Sequence, residues 1–267
     1  MILIATAMRV EAKPLIKRLK LRYVSNTNPA IYANDEFALV LTGVGGIRAA
    51  AAIGYCFGKL DSVAVVVNVG VAGCVNAEVG EVFVANKLRD CTTNRVRFPD
   101  MMMRFELPEA TLATHATVQS KGSADELVDM EGFAIFDAAT VFLPPHRIVI
   151  LKIVSDLIDG SLPGASDIEN IVEGATSAIT TALTVTSNLP EDATDPLKDH
   201  VDVVNALANN LRLTVAQRAR LKNVMRDRLT NRSTTLPDLN EFVNEPVATK
   251  REGKMRFEKL EEKLLDD

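Results

Sequence analysis

At 267 residues and a net charge of −5, the chain is too long for a stapled mini-protein and short of two full domains of roughly 150 residues each. Its 47% hydrophobic and 24% charged residues exclude a disordered or fibrous polypeptide, and the acidic balance gives no reason to expect a nucleic-acid partner. No apolar run approaches the roughly 18 residues of a membrane span, and 5% aromatics without Trp leave little for base-stacking surfaces.

Residues 2–7 are the first predicted strand, an apolar run without a basic leader and so not a signal peptide. An amphipathic helix is predicted over 11–20, with Leu15, Ile16 and Leu19 at helical spacing. A second strand covers 37–41, and Thr42-Gly43-Val44-Gly45-Gly46 is a glycine turn opening a helix over 47–58. Residues 63–67 are continuously apolar, the pattern of a strand buried on both faces. Further strands are predicted over 80–85, 112–118 and 147–154, with helices over 129–142 and 167–183. Such alternation means an α/β domain over 1–190, a mixed or parallel central sheet flanked by helices in a three-layer sandwich.

After Ser187-Asn188-Leu189-Pro190 no strand pattern follows. Val204, Leu207 and Leu211, then Leu221, Val224 and Met225, recur at helical spacing. Thr214 with Gln217 makes a capping box, and Phe257, Leu260 and Leu264 mark a last charged helix. A helical extension over 191–267 is therefore predicted, mobile over 231–254 where turn residues dominate.

Cys56, Cys74 and Cys91 are odd in number and lack C-x-x-C spacing, as expected of reduced thiols in a cytoplasmic protein. His115, His146 and His200 have no ligand spacing, so no metal is expected. The turn at Gly43 and Gly45 has Arg48 where a dinucleotide loop needs its third glycine, and no other cofactor motif is present. What remains is a set of acids and glycines at predicted strand ends: Glu11, the glycine turn, Asn68-Val69-Gly70-Val71-Ala72-Gly73, Met130-Glu131-Gly132 and Ser155-Asp156. Ligands of open α/β sheets bind beyond the carboxyl ends of the strands, so these groups are expected to share one cleft.

Six strings carry a resemblance: Ala7-Met8-Arg9-Val10-Glu11, Thr42-Gly43-Val44-Gly45, Asn68 to Gly73, Gly80-Glu81-Val82, Val128-Asp129-Met130-Glu131-Gly132 and Val154-Ser155-Asp156. In this order over residues 1–185 they resemble the nucleoside phosphorylase/nucleosidase superfamily, and within it the methylthioadenosine/S-adenosylhomocysteine nucleosidases. The resemblance implies cleavage of the bond between ribose and a purine-type base through an oxocarbenium-like transition state. It makes Asp156 the acid that protonates the leaving base, oriented by Ser155. A carboxyl of ordinary pKa, about 3.9, is a poor acid at neutral pH, so that role demands burial. Glu131 would bind the ribose hydroxyls, with Met130 packed on the sugar, and Glu11 would hold the attacking water. Thr42, Gly43, Gly70, Ala72, Gly73 and Lys152 complete the expected substrate contacts. No cofactor is implied; the partners are a small nucleoside and a second copy in a homodimer, without nucleic acid or membrane.

The chain departs from the pattern in two places. Lys152 stands where the nucleosidases carry Arg, which keeps the charge but loses the forked donor geometry. The segment 91–126 is also shorter by roughly a helix, so base specificity does not carry over. The Ala-Met-x-x-Glu start favours water over phosphate. Futalosine hydrolases share the Glu11-Ala12-Lys13-Pro14-Leu15 pattern but carry Asn in place of Asp156, which favours an adenine-type leaving group here. A phosphorylase, a futalosine-type hydrolase and a non-catalytic nucleoside-binding or assembly protein stay open as alternatives.

Overall fold

The computed structural model describes residues 1–60, 62–119, 126–188, 197, 200–229 and 235–265. The chain divides into two compact units, Met1–Leu189 and Pro190–Asp267. The first is built on a mixed sheet. Strand β1 (Ile2–Thr6) leads into helix α1 (Arg9–Arg18), then the short β2 (Arg22–Tyr23) and β3 (Ile31–Ala33), and β4 (Phe37–Leu41). Helix α2 (Gly46–Lys59) precedes β5 (Val65–Gly73), β6 (Val82–Asp90), β7 (Val96–Arg97), β8 (Glu109–Thr114) and β9 (Glu126–Asp129). Helix α3 (Gly132–Ala139), β10 (Ile148–Asp156) and α4 (Ala165–Ser187) complete the unit.

The central strands read as continuous apolar runs because they are covered on both faces. Side chains alternate across a strand, so Leu3, Ala5 and Val66 pack with Ile53 and Phe136 on the α2–α3 side. Ile2, Ile4 and Val67 pack with Leu15, Val172 and Ile179 on the α1–α4 side. Each such fully buried Ile, Leu or Val contributes about 1.5–3 kcal/mol. Met101 and Met103 pack onto this second layer, whereas Met102 is exposed.

The pairing order β10-β6-β8-β9-β5-β1-β4-β3-β2, with a further β10–β5 pairing, closes β5, β10, β6, β8 and β9 into a ring and leaves β1 to β4 as an open flank. Two predictions differ from this. Residues 129–142 are not one helix: Asp129 ends β9, held by β8 over Thr111 to Thr114, and its carboxylate accepts the Gly132 N–H at 2.7 Å to start α3. Residues 68–73 are not a loop but the second half of β5, kept extended by parallel pairing with β10 as far as Gly73. Between Cys91 and Gln119 the described residues form β7 and β8 without a helix, and Ser120, Lys121 and Gly122 lie outside the described residues. The three cysteines are free; burial pushes the Cys56 thiol up to about 12.

The second unit contains α5 (Val201–Asn210), α6 (Val215–Asp227), the single turn α7 (Asn240–Val243) and α8 (Lys250–Leu265) around Leu207, Leu211, Leu221, Met225, Phe257 and Leu260. Thr214 caps α6: its Oγ1 accepts the Gln217 N–H at 3.3 Å, while Gln217 Oε1 accepts the Thr214 N–H at 3.0 Å. Of the stretch predicted to be mobile, 231–234 lies outside the described residues; α7 and the start of α8 occupy much of the rest. No helix among the described residues is long and apolar enough to cross a membrane.

Candidate active site

Strand β1 pairs with β5 only as far as Ala5 opposite Asn68, and β9 meets β5 only at Gly73, opposite Val128. Between those pairings a cavity of about 330 Å³ opens at the carboxyl ends of β1, β5 and β10. The Val71 N–H, left on that edge of β5, donates to Glu11 Oε1 at 2.9 Å. Glu11 Oε2 accepts the Met8 N–H at 2.7 Å across the first turn of α1, the reciprocal bond of a capping box. Glu11 is only 2% exposed. Burial pushes its pKa above the ordinary 4.5; the Val71 and Met8 N–H groups and the Lys152 ammonium pull the other way.

Glu131 is the N-cap residue of α3. Its Oε1 accepts the Gly45 N–H at 2.6 Å, a bond spanning 86 residues. Gly45 reaches it with φ +99°, a conformation that side-chain-bearing residues avoid. Burial also raises the Glu131 pKa, against the Lys152 charge and the Gly45 N–H.

Asp156 ends β10. Ser155 Oγ donates to its Oδ2 at 2.7 Å and the Ile158 N–H to its Oδ1 at 3.1 Å. Ile158 makes that contact at φ +57°, an outlier for a β-branched residue and the kind of strain that clusters at sites. Its side chain packs on Gly73, where an added Cβ would fall 2.7 Å from Ile158 Cγ1 and 2.8 Å from Asp156 Oδ1. The burial expected of Asp156 is only partial, because it stands at the end of its strand on the cavity wall.

Glu11, Glu131 and Asp156 therefore line one cavity, joined by Met130 and Ser155 and by Ala72 and Gly73 of β5. Aliphatic groups, among them Val44, Val71, Val118, Ile158 and Leu162, form most of the remaining wall. Among the described residues no cationic and no aromatic side chain lines it. Arg9 is exposed and lies outside the lining.

Four expected contacts are not on this wall. Thr42 and Gly43 line a separate open groove with Arg48 and Tyr55, and the Thr42 hydroxyl donates to the Gly43 carbonyl at 2.9 Å. Gly70 lies under the floor, where an added Cβ would be 3.3 Å from both Glu11 Oε1 and Lys152 Nζ. Lys152 is also beneath the floor, its Nζ 2.8 Å from Asp129 Oδ2, with side chains 2% and 1% exposed.

Asp129 was not among the expected site residues, yet it lines the cavity and is tied down by groups from three other elements. Besides Lys152, it accepts the Thr114 hydroxyl at 2.6 Å and the Gly132 N–H at 2.7 Å. The signal was the pair of acids two apart in Val128-Asp129-Met130-Glu131-Gly132. A helical reading points such a pair to opposite faces and hides their convergence.

No protein-family model and no curated protein sequence matches the chain. Solved structures do. The 5'-methylthioadenosine nucleosidase of Arabidopsis thaliana superposes with a TM-score of 0.60 at 19% identity, over 70% of this chain and 96% of that one. The methylthioadenosine/S-adenosylhomocysteine nucleosidase of Helicobacter pylori with butyl-thio-DADMe-Immucillin-A gives 0.54 at 17% identity, over 68% and 97%. The futalosine hydrolase of Helicobacter pylori strain 26695 gives the same TM-score, identity and coverages. The chain contains the fold of these proteins.

Proposed function

We propose that this chain, carrying the nucleosidase fold, hydrolyses the N-glycosidic bond of a purine-type nucleoside. The observation that supports it is the meeting of Glu11, Glu131 and Asp156, from three separate strand ends, on a cavity of about 330 Å³. Negative groups around a ribose favour the positive charge that develops as the bond to the base breaks. Asp156 would give its proton to the departing base, kept in place by Ser155 and Ile158. Glu131 would accept hydrogen bonds from the ribose hydroxyls. Water beside Glu11 would add its oxygen to the anomeric carbon and pass its proton to the Glu11 carboxylate. The bond to the base breaks as the bond to water forms, and the base leaves neutral.

The absence of a cationic side chain from the described lining favours water over phosphate, which would need a counter-charge there. Methylthioadenosine, S-adenosylhomocysteine, adenosine, inosine and futalosine, each incubated with and without phosphate, form the direct test. Free base is expected from at least one of them without phosphate; no release under either condition would sink the enzymatic reading.

Two results should accompany turnover. Glu11 must be ionised to take a proton and its pKa is raised by burial, so the acid limb of kcat/KM should lie above 4.5, the ordinary glutamate value. A limb at or below that value would remove Glu11 from the role. Gly73→Ala should push the Asp156 carboxyl aside and lower kcat by about 100-fold, the scale of a small misplacement. A Gly73→Ala protein with wild-type kcat would show that Asp156 need not sit where it does.

A further inference from the structure

We propose that Lys152, locked by Asp129, is a positioning residue that holds Glu11 and Glu131 in place from beneath the cavity floor. This rests on the nucleosidase reading for its chemistry but not for its test. Lys152 rises from β10 on the sheet face that also carries Gly70 of β5, directly opposite it in register. Gly70 has no side chain, and the space above it is taken by Lys152 Nζ and Glu11 Oε1, each 3.3 Å from where a Cβ would stand. The Asn68 amide flanks the same space from β5; its Nδ2 is bonded to the Ala5 carbonyl at 2.9 Å, while its buried Oδ1 has no protein partner. Any side chain at position 70 would separate the ammonium from the Glu11 carboxylate.

Asp129 fixes the other side of the ammonium, with the Nζ–Oδ2 distance of 2.8 Å. The Thr114 hydroxyl and the Gly132 N–H hold Asp129 in turn, and Thr114 Oγ1 accepts the Phe133 N–H at 3.0 Å. The pair thus joins β8, β9, β10 and the start of α3, where Glu131 is the N-cap. The groups facing this ammonium are Glu11 from α1, Asp129 from β9 and Glu131 from the β9–α3 junction; Cys91, at the end of β6, faces Asp129. Lys152 is ion-paired to Asp129, while Glu11 and Glu131 feel its charge through space, so with the carboxylates ionised the floor is net negative, as a cationic sugar requires. The Lys152 charge lowers both the Glu11 and the Glu131 pKa, against burial, whereas the Asp129 charge raises that of Glu131.

Removing one member of a buried pair leaves an unpaired charge and endangers the fold. The primary variant is therefore Lys152→Met with Asp129→Asn, which removes both charges and keeps an amide for Thr114 and Gly132. The readout is the carboxyl carbon titration of Glu11 and Glu131 by NMR in glutamate-labelled full-length protein, assigned with Glu11→Gln and Glu131→Gln. The Glu11 midpoint is expected to rise by about 1–2 pH units in the folded double variant, as loss of a unit charge within several ångströms dictates, and the Glu131 midpoint to rise less, because the Asp129 charge that raises it is removed as well. The single variant Asp129→Asn should instead lower the Glu131 midpoint. Unmoved midpoints in the double variant, or a rise in Glu131 in the single one, would overturn the proposal. The titration needs no turnover, so a protein that releases no base from any nucleoside still tests it, and failure of one reading is distinguishable from failure of the other.

Discussion

Asp156→Asn is expected to lower kcat for base release by about 10²–10⁴-fold, the usual contribution of a proton donor. Asn keeps the shape and can still meet Ser155 Oγ and the Ile158 N–H, so the protein should melt within a few degrees of wild type. Asn carries no proton to give, and a leaving base that departs as an anion is a poor leaving group. Asp156 is half-buried at the cavity wall, so the substitution neither opens a void nor strands a charge. The loss should be greatest for nucleosides whose base needs protonation most, and kcat should fall more than KM changes. Activity of Asp156→Asn within tenfold of wild type would assign the proton to another donor.

Glu11→Gln carries the second large effect, through both rate and pH-dependent stability. Gln cannot take a proton from water, so kcat should fall by about 10²-fold or more with ribose binding retained through Glu131. Its NH₂ group must also face either the Met8 or the Val71 N–H, which leaves one buried donor unpaired at a cost of about 1–3 kcal/mol. The pH dependence follows from linkage. In the folded protein the Glu11 pKa lies above its ordinary 4.5, so the carboxyl binds its proton more tightly folded than unfolded. It stabilises the fold fully below pH 4.5, and that contribution is lost as pH rises through the folded-state pKa. Gln does not titrate. The wild-type Tm minus the Glu11→Gln Tm should thus be largest in acid and shrink as pH rises, which paired melting curves would measure. A difference that stays flat across that range would contradict the burial-driven shift.

The chain order of the central elements was legible because their causes are local. The strands over 37–41 and 148–154 are runs of β-branched and apolar residues, and α4 and α8 show apolar residues at helical spacing. The short strands β2, β3, β7 and β9 were not legible, since two to four residues carry no period and exist only because a neighbour pairs with them. Asp129 shows the same limit at the scale of one residue. Its strand is held by β8 and β5, and without them Val128-Asp129-Met130-Glu131 reads as the opening of a helix.

At the site, residue type could nominate Glu11, Glu131, Asp156 and their neighbours, because proton transfer and ribose binding call for carboxylates at strand ends. Which nominated groups face the cavity depended on packing between elements far apart in the chain. Thr42 and Lys152 were equally plausible by type, but one hydroxyl turns to a backbone carbonyl and the ammonium to a buried carboxylate. The amino-acid order settled the chemistry at hand and the strand and helix periods, both properties of short stretches. The cavity arises only where β1 and β9 part along β5, and its charge balance only where Lys152 and Asp129 meet 23 residues apart in sequence. Hydrogen-bond pairing and low dielectric act through space, so no local string encodes them alone.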